Sequence, residues 1–573
     1  MREPLVLFEN FGFKYRAQVE PTLYDINLAI YPGEKILIAG PSGSGKSTLA
    51  HCINGLIPFN YPGACTGKLT VNGTETKDQS VFSLSHTVGT VLQDTDGQFV
   101  GLTAGEDIAF SLENNCVSQK EMVTRVKRAA QLTGIGDALD VSPFELSGGQ
   151  KQRVSMSGVI VDDVRVLLFD EPLANLDPAT GKTAIALIDR VMRETETTVI
   201  IIEHRLEDVL YRPVDRVILM AEGRIVADES PGALLCGDWL SRYGIREPLY
   251  ITALKYAGVP VSLDKKPEHM ETLALAGNDK KAVARWYETE AQPHALPTGT
   301  ELLRIRHLTF RYPGRKGNAL NNINFSVSKG EMTAIVGTNG AGKSTLAKII
   351  CGFEKPDGGS ISLGGAEISG DSIPKRAERI GYVMQNPNQM ICKPLIFDEI
   401  ALGLRNKKIP EAEIEARVTE MLSVCGLKPF RDWPVSALSY GQKKRVTIAS
   451  VLVMEPEMII LDEPTAGQDF RHYTEFMAFL QSLNDRGVTV LMITHDMHLM
   501  LEYAPRAIVL SGGELIADLS SAELLCDRNL IEAASLKETS LFRLAELCGI
   551  NDAIGFVNRF VETEKQKRVE SNV

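Results

Sequence analysis

Long apolar runs are missing from these 573 residues; runs such as Val199–Ile202 and Met458–Leu461 have the length of a strand. A bilayer span needs about 20 apolar residues, so any membrane role is expected to come through a partner. Positive charge is not in excess either. The 73 acidic and 61 basic residues give a net charge of −12, which argues against a duplex- or ribosome-binding surface spread over the whole chain. Nine cysteines are scattered without one C-x-x-C pair. No cluster of them suggests an iron–sulfur centre, and the odd count fits free thiols in a reducing cytosol. The opening MREPLVLFENF lacks a charged segment followed by an apolar one, so no secretory signal is expected.

Two near-copies of one module fill the chain, which is too long for a single core. GPSGSGKST at Gly40–Thr48 returns as GTNGAGKST at Gly337–Thr345. Lys46 and Lys343 are 297 apart, Ser147 and Ser439 292, Glu171 and Glu463 292, His204 and His495 291. The echo continues into Leu234-Leu235-Cys236 against Leu524-Leu525-Cys526, and Gly258-Val259 against Gly549-Ile550. Each half is therefore expected to end in a small helical extension. The join falls near Lys265–Thr300, where Pro267, Pro293, Pro297 and Gly299 sit among charges. Expected boundaries are 1–235 for a first nucleotide-binding domain, 236–300 for a helical extension and linker, 301–526 for a second domain, and 527–573 for a C-terminal helical extension. Within a half, strands come first, then a loop and helix, a helix-rich insert, and alternating strands and helices. That order reads as an α/β fold. In the second insert Pro410 opens a helix with Ile414, Val418, Met421, Leu422 and Cys425 on one face and Gly426 at its end; Met122, Val126, Ala129 and Ala130 form the matching stripe. Such stripes are local core.

Each Gly-rich loop follows an apolar strand (Lys35–Ala39, Thr333–Val336) and opens a helix near Ser44 or Ala341. In that context backbone N–H groups face phosphate oxygens, a Lys reaches the β- and γ-phosphates, and a Ser or Thr hydroxyl holds Mg²⁺. The first loop offers Gly40, Ser42, Gly43, Gly45, Lys46, Ser47 and Thr48; the second offers Gly337, Asn339, Gly340, Gly342, Lys343, Ser344 and Thr345. The runs VLLFDE (166–171) and IILDE (459–463) end buried strands in paired carboxylates. Strand alternation predicts that the two point to opposite faces. Asp170 and Asp462 would then contact Mg²⁺, while Glu171 and Glu463 polarise the attacking water as general bases.

Between these stations stand LSGGQ at 146–150 and LSYGQ at 438–442, each opening a helix. Here the chain resembles the ATP-binding cassette (ABC) ATPases over nearly all of both halves, the pentapeptide being that family's signature. The resemblance implies two tandem phosphate-loop domains of ABC type, each with an antiparallel β subdomain, a helical insert and a helical extension. It also implies head-to-tail pairing of the halves, with each signature closing the ATP held by the other half. One site would join Lys46, Asp170, Glu171 and His204 with Ser439, Gly441 and Gln442. The other would join Lys343, Asp462, Glu463 and His495 with Ser147, Gly148, Gly149 and Gln150. A Ser hydroxyl, Gly amides and a helix N-terminus suit a γ-phosphate. Tyr15 and Tyr312, each 25 residues before the first loop Gly, resemble the aromatic that stacks on adenine. Gln93 and Gln385 match the glutamine that touches Mg²⁺ and the lytic water. Asp177 and Asp469 match the loop crossing the dimer seam, and His204 and His495 match the histidine contacting the γ-phosphate. Both halves keep Glu and His, so both are expected to hydrolyse ATP; Tyr440, standing where the family has Gly, puts equal rates in doubt.

After the glutamines the chain reads QDTDGQFVGLTAGEDIAFSL and QNPNQMICKPLIFDEIALGL. These stretches look like the ATPases of energy-coupling factor (ECF) transporters, as do TAGQD at 465–469 and the tyrosine-bearing second signature. The first half departs from that pattern with LANLD at 173–177 and no Pro after Gln93. The resemblance implies a short helix around Gln98 or Gln389 lining a groove for the coupling helices of an integral membrane subunit. It further implies a separate substrate-binding membrane subunit, a place on the cytoplasmic face of the membrane, and uptake of a vitamin or transition-metal ion. The pairs Glu106-Asp107 and Asp398-Glu399 are either solvated helix starts or contacts for basic coupling helices. An exporter motor is the nearer rival. A twin-cassette translation factor is more distant, because the linker from Cys236 to Leu296 carries eight basic and eight acidic residues; no nucleic-acid partner is expected. No long heptad insert marks a DNA-repair ATPase, and the cargo itself is not written in the chain.

Overall fold

The computed structural model describes residues 3–16, 18–93, 96–174, 176–288, 299–314, 317–465 and 468–571. Pro293 and Pro297 of the expected linker, Asn175 of the LANLD run and Ala466 and Gly467 of the TAGQD run lie outside the described residues. The chain divides into two compact units, Met1–Val283 with Asp469–Arg471, and Ala284–Gln468 with His472–Val573.

In the first unit a six-stranded sheet runs in the order Arg224–Glu229, Arg216–Ala221, Lys35–Ala39, Thr198–Ile202, Val166–Asp170, Val88–Val91. All neighbours are parallel except the first pair. The central strands read as nearly unbroken apolar runs because both faces of the sheet are covered; every residue of Lys35–Ala39 and Thr198–Ile202 is buried. A four-stranded antiparallel sheet, in the order Leu23–Ile30, Val6–Tyr15, Gly63–Val71, Thr74–Glu75, shares its core through Phe8, Phe13, Leu23, Ile26 and Leu69.

The second unit repeats both sheets. Its six strands run Ile380–Val383, Met458–Asp462, Thr489–Ile493, Met332–Gly337, Arg506–Ser511, Glu514–Ser520, and its antiparallel sheet Leu320–Ser328, Glu301–Phe310, Gly358–Leu363, Ala366–Glu367. The α/β fold with a β subdomain, expected for each half, is what forms. In both sheets the phosphate-loop strand and the strand ending in the acidic pair flank the strand that leads to the histidine. The edges that carry chemistry thus meet at the C-terminal side of the parallel sheet, where open α/β sheets bind ligands.

The helical inserts follow the apolar stripes. In the second, Ile414, Val418, Leu422 and Cys425 bury against Ile396, Ile400, Leu404, Val446 and Ala449, with Met421 packed at the edge of that cluster. The helical extensions also recur. Leu249–Tyr256 is followed by Gly258 at φ 69° and Ser540–Cys548 by Gly549 at φ 73°. The next residues, Val259 and Ile550, donate back to Leu254 and Ala545 at 2.9 Å. A left-handed glycine followed by an apolar residue is a helix-stopping motif, which gives the Gly-Val/Gly-Ile echo its physical reason. Among the described residues no helix is long and apolar enough to cross a membrane.

Candidate functional site

Both phosphate loops lead into helices, Lys46–Ile53 and Lys343–Cys351, slightly later than the sequence suggested. Gly45 and Gly342 precede them at φ 97°. A Cβ at either would meet Leu23 Cδ2 at 2.7 Å or Ala319 O at 2.6 Å, so only Gly fits this bend. The Lys46 ammonium donates to Gly40 O at 2.8 Å and Pro41 O at 2.9 Å; Lys343 does the same to Gly337 O and Thr338 O, both at 2.9 Å. The cation is thus held over its own loop, among acceptors that a phosphate would outcompete in charge. Burial lowers the Lys46 pKa against the pull of Glu171 and Asp170.

The acidic pairs correct one expectation. Asp170 and Asp462 end their strands, but Glu171 and Glu463 are not further strand residues: both turn into the left-handed region, at φ 48° and 46°. Their N–H groups donate to Ile202 O and Ile493 O at 2.9 Å, the last bonds to the neighbouring strand. Strained backbone separates the two carboxylates, rather than simple alternation. Ser47 Oγ lies 3.5 Å from Asp170 Oδ1, and Gln93 Nε2 donates to Glu171 Oε2 at 2.7 Å. In the second unit Tyr382 OH donates to Asp462 Oδ2 at 3.1 Å, and His495 Nε2 is 3.3 Å from Glu463 Oε1. Tyr15 and Tyr312 reach Thr48 and Thr345 through their hydroxyls at 3.1 and 3.2 Å, each ring edge-on to a Phe at 4.8 Å.

The two sites differ around their histidines, which sequence reasoning missed. In the first unit Glu203 is fully buried. Its carboxylate accepts the N–H groups of His204 at 2.9 Å, Arg205 at 3.2 Å and Leu173 at 3.3 Å, and lies 3.2 Å from His204 Nδ1. Glu171 Oε1 is 3.8 Å from the same ring nitrogen. The second unit has Thr494 there, its hydroxyl accepting from the Asp496 N–H at 3.0 Å. Burial opposes a charged His204, yet the Glu203 charge and the Glu171 hydrogen bond raise its pKa. Burial also pushes Glu171 up, but the hydrogen bond and charge of His204, with Lys46, outweigh it and hold that carboxyl below the usual range. Asp170 is raised to about 6 by burial and the Glu171 charge. Glu463 is pushed up to about 8, by burial first and then by Asp462, against Lys343. Setting the two halves in register exposes such differences: Glu203 against Thr494, Thr90 against Tyr382, Gln152 against Lys444.

Ser147 and Ser439 cap the helices Gly148–Ile160 and Tyr440–Leu452. Each hydroxyl accepts the N–H of Gln150 or Gln442, and each Gln carbonyl accepts the Ser N–H at 3.0 Å. A hydroxyl that accepts a cap bond keeps its own proton to donate, so the cap leaves an anion role open. No hydrogen bond among the described residues joins either serine to the phosphate loop of its own unit. Loop, Asp, Glu and His come together within each unit, with Gln93 joined to them in the first; in the second, Tyr440 of the signature bonds the Gln385 carbonyl. The acidic pairs of the inserts have internal partners. Glu106 closes a capping box, Asp107 accepts from Val100 and Gly101, Glu399 from Cys392 and Lys393, and Asp398 pairs with Arg405.

A family model described as ABC transporter matches residues 23–174 and again 320–466. The chain belongs to the ABC transporter family. A second model, described as ATP-binding cassette cobalt transporter, matches residues 237–310. The chain is 54% identical over 570 residues to an ABC transporter ATP-binding protein of Enterococcus faecalis, covering 99% of this chain and all of the relative. It is 55% identical over 567 residues to one of Clostridium perfringens, with 99% and 100% covered. A solved structure, CbiO1 from Clostridium perfringens, described as part of the ABC transporter complex CbiONQ, shares 37% identity over 41% of this chain and 94% of its own, with a TM-score of 0.38. This ABC protein is an ATP-binding subunit and an ATPase whose hydrolysis is coupled to transport.

Proposed function

We propose that the chain drives an ECF-type importer of a vitamin or transition-metal ion from the cytoplasmic face of a membrane, bound to an integral coupling subunit beside a separate substrate-binding membrane subunit. The observation that carries this reading is the segment 237–310, matched by a model of cobalt-transporter cassettes. The post-glutamine stretches support it, since Asp96–Gln98 and Pro387–Gln389 form short 3₁₀ turns at the expected place. Beside the first, Val100, Leu102 and Phe144 are exposed apolar residues suited to a docking helix.

Two ATP molecules are taken up at composite sites, as the resemblance implies. Lys46 or Lys343 releases its loop carbonyls to the β- and γ-phosphates. Ser439, Gly441 and Gln442, or Ser147, Gly148, Gly149 and Gln150, close on the γ-phosphate from the other half, and Tyr15 or Tyr312 meets the adenine. Glu171 and Glu463 take the proton of the attacking water, Gln93 and Gln385 orient that water, and His204 and His495 donate to the phosphate. Mg²⁺ fits the oxygen donors present: Ser47, Gln93 and Asp170 would hold it in one unit, Ser344, Gln385 and Asp462 in the other. Bound with the nucleotide, it neutralises charge on the phosphates. Phosphate release removes the bridge between halves, and reopening is transmitted to the membrane subunit.

Affinity capture of the tagged chain from detergent-solubilised membranes tests the assignment. Recovery of a multi-span membrane protein, with ATP turnover raised in its presence, is the expected result; recovery with ribosomes alone ends it.

A further inference from the structure

The second signature helix is tied to the glutamine loop of its own unit by two side chains, Tyr440 and Lys444. Tyr440 OH donates to the backbone carbonyl of Gln385 at 3.0 Å. One turn on, the Lys444 ammonium donates to the same carbonyl at 2.8 Å and to Glu463 O at 3.2 Å. Lys444 is wholly buried, with the carboxylates of Glu463 and Asp462 as the charges that face it. The Gln385 oxygen thus has both lone pairs engaged by one helix. The same ammonium also holds the backbone of the glutamate assigned as general base. An outer tie runs from Lys443 Nζ to Asn388 Oδ1 at 3.3 Å, on the turn that follows the glutamine.

In the first unit the register sets Gly148 opposite Tyr440 and Gln152 opposite Lys444. Gly148 has no side chain to reach with, and the Gln152 amide goes to Pro172 O at 2.7 Å. The tyrosine that breaks the signature pattern therefore has a partner of its own, and the buried lysine one turn further along the helix shares that partner.

We propose that Tyr440 and Lys444 form a latch making the second unit's signature helix and glutamine loop one moving body, so that the second nucleotide site governs the signature that serves the first, through two contacts that Gly148 and Gln152 do not reproduce. The clause about the first site rests on the composite-site reading given above; the latch itself rests on contacts inside one unit. A glutamine loop that shifts when its γ-phosphate leaves must carry the helix with it or break charge-assisted bonds in a buried place. Both members act through the backbone of Gln385 and Glu463, so both are positioning residues.

Hydrogen exchange on the full chain reads the latch directly. With Lys46→Ala silencing the first site, a nonhydrolysable ATP analogue and Mg²⁺ at the second should slow exchange at residues 441–446 at least about fivefold. In Tyr440→Phe/Lys444→Gln that response should fall below about twofold, and Tyr440→Phe alone, which keeps the ring, should give an intermediate loss in a normally folded chain. In Lys343→Ala, analogue at the first site should leave residues 149–154 within about twofold. A parallel readout is first-site turnover with the second site occupied (Glu463→Gln) relative to empty (Lys343→Ala); the latch variant should bring that ratio towards one. An exchange response unchanged in the double variant overturns the latch whatever turnover does. A latch-dependent exchange response with an unaffected turnover ratio overturns the relay, and places the fault in the composite-site reading rather than in the contact.

Discussion

Glu203 shows how one residue can change the chemistry around a histidine that both sites share. A fully buried carboxylate that accepts three backbone N–H groups and faces an imidazole fixes that ring in place and favours its charged form. Glu203→Gln keeps the shape and removes the charge. The His204 ring pKa, read by NMR, should fall, and first-site turnover measured in a Glu463→Gln background should drop about tenfold, the size of one lost contact near 1.4 kcal/mol. The general bases themselves should respond to pH in opposite styles. A Glu463 near pKa 8 in the nucleotide-free protein is about one-tenth ionised at pH 7 and mostly ionised at pH 9, and a general base works only when ionised. In Glu171→Gln, where only the second site works, kcat/KM for Mg-ATP should therefore rise about tenfold between those pH values. In Glu463→Gln no such rise should occur, because Glu171, held below the usual carboxylate range, is already ionised.

Elements that carry strong local signals were legible in the sequence. The phosphate loops, the acidic strand ends, the capped signature helices and the Gly-terminated extension helices each need particular residues in a particular order, so pattern alone places them. Three features were not legible. The left-handed turn at Glu171 and Glu463 follows from the neighbouring strand pulling their N–H groups across, a tertiary effect invisible in a run of apolar residues. Glu203 and Lys444 look like ordinary surface charges until burial is known. The acidic residues of the inserts turned out to bond the loop before their helix or, for Asp398, an arginine of the same helix, which a helix-start pattern does not distinguish from solvation. The same contrast separates structural from functional glycines. Gly45 has no room for a Cβ, whereas Gly441 would meet nothing within 4 Å and has ordinary backbone. The fold does not require glycine at 441; close approach of a ligand would. Gly441→Ala should accordingly leave the melting temperature within about 1 °C, being far from the clashes that destabilise folds, while first-site turnover in a Glu463→Gln background falls by more than tenfold. A matched loss of stability would instead make Gly441 a structural residue.

At the scale of the whole molecule, two complete sets of loop, carboxylates, glutamine and histidine on one chain make a second copy unnecessary for a pair of composite sites. Each unit supplies one phosphate loop and one signature, and among the described residues no hydrogen bond joins a capping serine to the loop of its own unit. Blocking hydrolysis should expose the arrangement. In Glu171→Gln/Glu463→Gln, Mg-ATP should remain bound through gel filtration at two nucleotides per chain, and light scattering should give the mass of a single chain, 62.8 kDa. Adding Ser147→Arg should remove one nucleotide, the one on Lys343, and adding Ser439→Arg the one on Lys46, identified by cross-linking an azido-ATP to the Tyr312 or Tyr15 segment. Loss of the nucleotide on the same unit as the substituted serine would mean that each unit closes its own site, and a doubled mass on nucleotide binding would mean that the sites form between chains.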